Sequence, residues 1–305
     1  MHELLQEIND PIARAQGVRL LLWRDDLVNP DLPGNKARKL KYNLRAAREQ
    51  GHRTLLTFGG AYSNHIAAVA TAGRLLGFAT IGLVRGDEPE GASAQLNPTL
   101  ARAAADGMAL HYLDRSTYRR RSDPEFIAEQ LARFGPAYVL PEGGTNALAL
   151  RGCAELVAEI GQHTDFDALA VAVGTGGTLA GLLTGLCGKQ QAVGVAALKN
   201  GGFLRDEIDA LTREASGQVF ANYSLQTDYH FGGYAKYSAD LLAFIHSFEG
   251  KHGVLLDPIY TGKLLSGVLD LIRKGHFERG ATVVAIHTGG LQAWAGWQER
   301  FGARE

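Results

Sequence analysis

Lys36, Arg38 and Lys39 crowd into Pro33-Gly34-Asn35-Lys36-Ala37-Arg38-Lys39-Leu40, where Leu40, Tyr42, Leu44 and Ala47 predict the opening of a helix. A helix N-terminus carries partial positive charge, so each cation there costs about 0.3–1 kcal/mol. A sequence serving helix stability alone would place acids in that turn. The functional reading is a nearby anion or aldehyde-bearing ligand, with one lysine as nucleophile and another as phosphate contact. A desolvated lysine beside other cations has a lowered pKa and attacks carbonyls. The same pattern also fits a basic, exposed helix start.

Two glycine junctions repeat one layout. Phe58-Gly59-Gly60-Ala61-Tyr62-Ser63-Asn64-His65 reads as a strand, a glycine turn and a helix start presenting Ser63 and Asn64. Backbone N–H groups and short polar side chains at such a junction bind carboxylates or phenolic oxygens, and Ser63 can also serve as an N-cap. Val173-Gly174-Thr175-Gly176-Gly177-Thr178 delivers a glycine and threonine loop into a second helix start, the form of a phosphate cup. Tyr234 beside Gly232-Gly233, and Tyr260 in Asp257-Pro258-Ile259-Tyr260-Thr261-Gly262-Lys263, are further candidates, though a lone tyrosine is more often a packing residue. His287-Thr288-Gly289-Gly290 ends a strand in the same glycine-rich way, and His287 also fits a buried, satisfied imidazole.

Rival chemistries are weaker. Gly174, Gly176 and Gly181 depart from dinucleotide-fingerprint spacing, and Leu198, Lys199 and Asn200 stand where a ribose-binding acid belongs. No glycine loop is followed by Gly-Lys-Ser/Thr. The ten histidines show no zinc-ligand spacing, and no metal is indicated.

The elements that must position these residues are legible as apolar runs. Buried strands are predicted at 18–23, 53–58, 80–84, 137–140, 168–173, 192–197 and 281–287. Helical patterns lie between most of them. One starts at Ser63, carries Ile66, Val69, Ala70 and Gly73 on a face and stops at Gly77; another runs from Ala147 through Leu156, Val157 and Ile160 to Gly161. Alternating strands and helices with continuous apolar strands predict an α/β fold with parallel sheets covered on both faces. The polar stretch 88–123, with Pro89, Pro98 and Arg119-Arg120-Arg121, reads as long surface connections.

The chain has 305 residues, enough for two domains or one two-lobed one, and 46% hydrophobic with 21% charged residues excludes wholesale disorder. Thirty-eight glycines, where about 7% is usual, cluster at predicted strand ends. A formal charge of -1 gives no global attraction to nucleic acid or an anionic membrane. Two cysteines cannot build a disulfide framework, so a reducing compartment is expected; Cys153 and Cys187 both read as buried, inert thiols. No apolar run reaches membrane-spanning length, and Glu3, Glu7 and Asp10 stand where a signal peptide would be basic and then apolar, so a cytosolic protein is expected.

In this order, Gly34-Asn35-Lys36-x-Arg38-Lys39-Leu40, Ser63-Asn64-His65, Gly143-Gly144-Thr145-Asn146, Gly174-Thr175-Gly176-Gly177-Thr178, Asp257-Pro258-x-Tyr260-x-Gly262-Lys263 and His287-Thr288-Gly289-Gly290 resemble the 1-aminocyclopropane-1-carboxylate deaminase/D-cysteine desulfhydrase family. The resemblance runs from about residue 20 to about residue 300. It implies a pyridoxal 5'-phosphate enzyme of the tryptophan-synthase-β-like fold. Two α/β lobes are then expected, each with a mostly parallel twisted sheet covered by helices and the cofactor in the cleft between them. A large lobe would combine 1–40 and 150–305, with 41–149 as the small one. The resemblance implies that Lys36 holds the cofactor as a Schiff base and moves the substrate α-proton. Lys39, Gly174, Thr175, Gly176, Gly177 and Thr178 would hold the phosphate. Asn64 would bond the phenolic oxygen, Ser63 and His65 would receive the substrate carboxylate, and Tyr234 and Tyr260 would stand near the reacting carbon. A homodimer is also implied.

In the deaminase branch, glutamate typically follows the second tyrosine and leucine follows the histidine; here Thr261 and Thr288 resemble the desulfhydrase pattern. A carboxylate at the pyridine nitrogen deepens the electron sink, which opening a cyclopropane demands; a hydroxyl is a weaker partner that suffices for expelling a thiolate. The expected function is β-elimination from D-cysteine or a related β-substituted D-alanine, giving pyruvate, ammonia and sulfide. The alternatives are 1-aminocyclopropane-1-carboxylate deamination to 2-oxobutyrate, and a non-catalytic cofactor-binding protein. Pro33 and Ala235 depart from the family's usual glycines.

Overall fold

The computed structural model describes residues 4–29, 31–87, 96–292 and 294. They divide into two compact units, one taking the described residues of 1–39 and 147–291, the other those of 40–146 and 292–305. The strands are β1 (Leu5–Glu7), β2 (Arg19–Trp23), β3 (Thr54–Gly60), β4 (Ala79–Arg85), β5 (Met108–Leu113), β6 (Tyr138–Leu140), β7 (Ala168–Val173), β8 (Gln191–Ala196), β9 (Tyr223–Gln226) and β10 (Thr282–Ile286). The helices are α1 (Pro11–Gln16), α2 (Asn35–Glu49), α3 (Asn64–Leu76), α4 (Pro98–Ala105), α5 (Arg115–Tyr118), α6 (Pro124–Phe134), α7 (Ala147–Gly161), α8 (Gly177–Leu186), α9 (Leu204–Ser216), α10 (Ala239–His252) and α11 (Thr261–Arg273).

The first unit holds a six-stranded sheet in the order β1-β2-β10-β7-β8-β9, parallel except for β1 against β2. β7 is buried at every position, as expected of a central parallel strand covered on both faces. Leu182 and Leu183 of α8 and Leu156 of α7 close over it, each fully buried aliphatic contributing about 1.5–3 kcal/mol. Small residues set that packing: a Cβ on Gly181 would lie 2.8 Å from the Leu150 carbonyl. Because β2, β10, β7 and β8 run parallel, the segments after Trp23, Ile286, Val173 and Ala196 all leave the same sheet edge, where α/β folds bind ligands.

The second unit holds a parallel four-stranded sheet, β5-β4-β3-β6, around Leu56, Phe58, Leu83, Tyr118 and Phe126. α3 starts at Ser63, whose Oγ accepts from the Ile66 amide, and ends at left-handed Gly77. The α/β class expected from strand and helix alternation is the class observed.

One sequence expectation is corrected. Of the stretch read as connections, 88–95 lies outside the described residues, but 96–123 contains α4, β5 and α5. Asn97 and Asp114 cap the two helices, and β5 pairs with β4 over six residues from Thr80↔Met108 to Arg85↔Leu113. Polar caps and an edge strand with half-exposed positions made it look like loop. Among the described residues, no helix is long and apolar enough to cross a membrane.

Candidate active site

The lysine turn lies at the same sheet edge of the first unit. Gly34 takes a left-handed φ of +71°, and its N–H donates to the Asp25 carbonyl at 3.2 Å. The Asn35 N–H reaches the Thr288 carbonyl after β10, and its side-chain amide donates to Thr178 Oγ1 at 2.9 Å. Three candidate segments, 34–39, 174–178 and 287–290, are thereby bound together.

The three cations then separate by role. Arg38 is buried and ion-paired with Asp25 and Glu159, each at 2.7 Å. Burial pushes the Asp25 carboxyl up despite the guanidinium, and the two carboxylates hold the Arg38 guanidinium firmly protonated against its own burial. Lys36 is half-buried; loss of hydration, then repulsion from Lys39, brings its pKa down to about 7. Lys39 is almost wholly buried, and desolvation lowers its pKa too. A Cβ on Gly152 of α7 would lie 2.0 Å from the Arg38 carbonyl, so this glycine lets α7 pass directly beneath the turn.

The 174–178 loop ends in left-handed Gly176, which starts α8 without a side-chain cap. The first-turn N–H groups of α8, with the helix dipole behind them, suit an anion. Tyr260 stands against this loop: a Cβ on Gly174 would lie 3.3 Å from Tyr260 Oη. Tyr234 meets Tyr260 edge-on, with ring centroids 6.0 Å apart.

Thr261 and Thr288 differ in their freedom. Thr261 Oγ1 donates to Asp257 Oδ2 at 2.6 Å and accepts from the Asp257 N–H at 2.8 Å. Asp257 also accepts from the amides of Ile259, Tyr260 and Thr261, which occupies both its oxygens at the start of α11. The Thr288 hydroxyl makes no hydrogen bond to any described residue. His287 is fully buried; its Nε2 bonds the Leu255 carbonyl, and its Nδ1 lies 3.3 Å from both the Gly289 N–H and Asp26.

Ser63, Asn64 and His65 belong to the second unit. The Ser63 hydroxyl donates to no described residue, and the Asn64 amide has no hydrogen bond to one. His65 is buried, with Nε2 2.8 Å from Thr57 Oγ1. Thr57 gives its own proton to the Leu140 carbonyl, so it accepts from His65, which fixes the proton on Nε2. The ring packs on Gly144, where a Cβ would lie 2.8 Å from His65 Cε1. Asn146 and Asn43 pair through both amides.

Sequence reasoning gave no role to Lys263, which is fully buried and donates to two backbone carbonyls. Its signal was a lysine set directly against Leu264 and Leu265. Cys153 is buried as expected, but Cys187 is exposed. It is the left-handed C-cap of α8, where the turning chain carries its side chain away from the apolar face of Leu186.

Residues 7–289 match the family model described as "Pyridoxal-phosphate dependent enzyme". The chain is 34% identical over 290 residues to a Pyrococcus horikoshii protein named "Putative 1-aminocyclopropane-1-carboxylate deaminase", covering 92% of this chain and 87% of the relative. It is 29% identical over 303 residues to the D-cysteine desulfhydrase of Klebsiella pneumoniae, covering 95% and 91%. A crystal structure described as that of "the ACC deaminase homologue" superposes with a TM-score of 0.85 at 33% identity, covering 97% of this chain and 91% of the other.

Proposed function

This chain belongs to the family of pyridoxal-phosphate-dependent enzymes and is a lyase of its 1-aminocyclopropane-1-carboxylate deaminase/D-cysteine desulfhydrase branch, and we propose that its substrate is D-cysteine or a closely related β-substituted D-alanine. The residues fit the cofactor. A desolvated amine with a pKa brought down to about 7 is a carbonyl nucleophile at neutral pH, an uncapped glycine-rich helix start suits a phosphate, and an unengaged Thr288 hydroxyl suits a ring nitrogen.

Bound pyridoxal phosphate supplies an electron sink conjugated to the substrate Cα. Lys36 would hold it by its aldehyde carbon and take the Cα proton. Lys39 and Gly174, Thr175, Gly176, Gly177 and Thr178 would hold its phosphate, and Thr288 its ring nitrogen. The proposed roles of Asn64 and Ser63 are to donate to the phenolic oxygen and the substrate carboxylate. Tyr234 and Tyr260 would face the reacting carbon. His65 and Thr261 would act from behind, His65 by fixing the start of α3 and Thr261 by closing the Asp257 cap below Tyr260. With D-cysteine, the Cα–H and Cβ–S bonds break and sulfide departs. The released enamine takes up water to give pyruvate and ammonia.

The observation that carries the choice of substrate is the occupancy of Asp257. It is the one carboxylate in 256–263, and four donors engage it, so that turn offers the ring nitrogen no acid. A hydroxyl partner supports loss of a good leaving group better than opening of a cyclopropane. The second reading, 1-aminocyclopropane-1-carboxylate deamination, is favoured by the identity to the Pyrococcus relative, 34% against 29% for the desulfhydrase. Keto-acid release from D-cysteine, L-cysteine and 1-aminocyclopropane-1-carboxylate, assayed in parallel on the holoenzyme, separates the two. Pyruvate with sulfide from D-cysteine alone is expected; 2-oxobutyrate from the cyclopropane substrate would replace this reading with the second.

We further propose a homodimer, to be checked by sedimentation equilibrium against twice the 32.7 kDa chain mass. A cytosolic setting is proposed as well, and the exposed Cys187, which is in no disulfide, fits a reducing compartment.

A further inference from the structure

Lys263 occupies the first turn of α11 with none of its surface exposed, at the helix end where a cation is least favoured. Leu264 and Leu265 beside it are core residues, and an apolar side chain of similar length would suit the site better by burial alone. Its Nζ donates to the Gly233 carbonyl at 2.7 Å and to the Ala197 carbonyl, just past β8, at 3.2 Å. Gly233 O also accepts from the Lys236 amide at 3.1 Å, and the Gly233 amide donates to the His230 carbonyl at 3.0 Å.

The segment 230–236 is neither helix nor strand, and its backbone is unusual. Phe231 and Ala235 hold left-handed φ values of +47° and +53°, flanking Gly232 at +94° and Gly233 at +119°. L side chains rarely adopt that region, and a run of such residues persists only where its surroundings impose it. Tyr234 lies inside the run with 38% of its surface exposed, so core packing does not hold its ring. Its ring meets the edge of Tyr260, with centroids 6.0 Å apart, and its backbone lies in the segment that Lys263 holds through Gly233. Desolvation lowers the Lys263 pKa to about 8, which marks how unfavourable the ammonium's burial is.

We propose that Lys263 is a positioning residue whose ammonium ties the 230–236 segment to the end of β8 and thereby sets Tyr234 against Tyr260. Its effect on turnover rests on the proposed role of Tyr234 at the reacting carbon; the tether itself does not.

The test uses holoenzyme of Lys263→Met, Tyr234→Phe and the double variant, with kcat on whichever of the three amino acids is turned over and amide hydrogen exchange across 230–236. Lys263→Met is expected to bind the cofactor at wild-type stoichiometry and to exchange at least ~10-fold faster in 230–236. Its kcat should fall ~10²-fold, the scale of an ångström's misplacement. In the Tyr234→Phe background it should cost less than about twofold more, because both changes remove one function. Unchanged exchange, or losses that multiply in the double variant, would overturn the proposal. Wild-type turnover by Tyr234→Phe would instead remove the catalytic reading of Tyr234, and exchange alone would then decide the tether. If Lys263→Met does not fold, Lys263→Gln replaces it with the same expected and overturning results.

Discussion

Gly34→Ala should be among the most damaging single-methyl additions in the protein, because two independent costs meet there. A Cβ at Gly34 would lie 1.9 Å from the Thr288 carbonyl oxygen and 2.4 Å from its carbon, both backbone atoms, so the chain must shift. Overpacking of that kind costs about 1–3 kcal/mol. The left-handed φ of +71° adds about 1–2 kcal/mol for any L side chain. The sum is roughly 2–5 kcal/mol. Gly217→Ala in the same unit is the control, since Gly217 has φ +73° and nothing within 4 Å of its Cβ position. It should lose about 1–2 kcal/mol from the backbone alone. Urea unfolding of both variants, with m unchanged, gives the difference as the cost of the clash. The shift is also expected to move Lys36, two residues on, and to lower kcat ~10²-fold, while Gly217→Ala keeps wild-type turnover. Equal destabilisation within about 0.5 kcal/mol, with kcat preserved in both, would refute the claim that the 34–39 turn is seated on the 287–290 segment.

Three further outcomes follow from the same geometry. If the neutral Lys36 amine is the nucleophile, as proposed, the rate at which apoenzyme captures pyridoxal phosphate should rise with pH to about 7, where its pKa lies, and then level off. The depressed pKa means that folding releases this proton between about pH 7 and the ordinary lysine value of 10.5, so apoprotein stability gains from this group as pH rises across that window. A capture rate still rising tenfold per pH unit at pH 9 would contradict the assignment. Asp257→Ala removes the acceptor for the amides of Ile259, Tyr260 and Thr261 and for the Thr261 hydroxyl. It should cost about 2–4 kcal/mol in urea unfolding, the sum of a lost cap and buried donors left unpaired, and a loss below about 0.5 kcal/mol would contradict that reading.

The sequence was most legible where local chemistry and tertiary burial agreed. β7 and α7 occupy the residues expected, because a wholly apolar six-residue run and an uninterrupted 3.6-residue pattern leave little choice. Ser63 and Gly77 bound α3 as their side chains dictate. β1, β9 and β5 escaped notice because they are edge strands whose residues, such as Gln6, Ser224 and His111, are polar and only partly buried. Their pairing comes from a neighbouring strand and not from their own pattern.

The candidate site was legible as motifs but not as a division of labour. Spacing grouped Lys36, Arg38 and Lys39 as equals; only the distant partners Asp25 and Glu159 show that Arg38 is neutralised. Thr261 and Thr288 looked interchangeable until the Asp257 cap occupied one of them. Cys187 was misread because an apolar neighbour in sequence does not fix which way a helix end turns.

Lys36 is proposed to hold the cofactor, and among the described residues three lysines with depressed pKa compete for that place: Lys36, Lys39 and Lys263. Borohydride reduction of the holoenzyme followed by proteolysis and mass spectrometry locates the pyridoxyl group directly. Stoichiometric label on Lys36 and none in Lys36→Ala is expected; label on Lys39 or Lys263 in the unsubstituted protein would overturn the assignment.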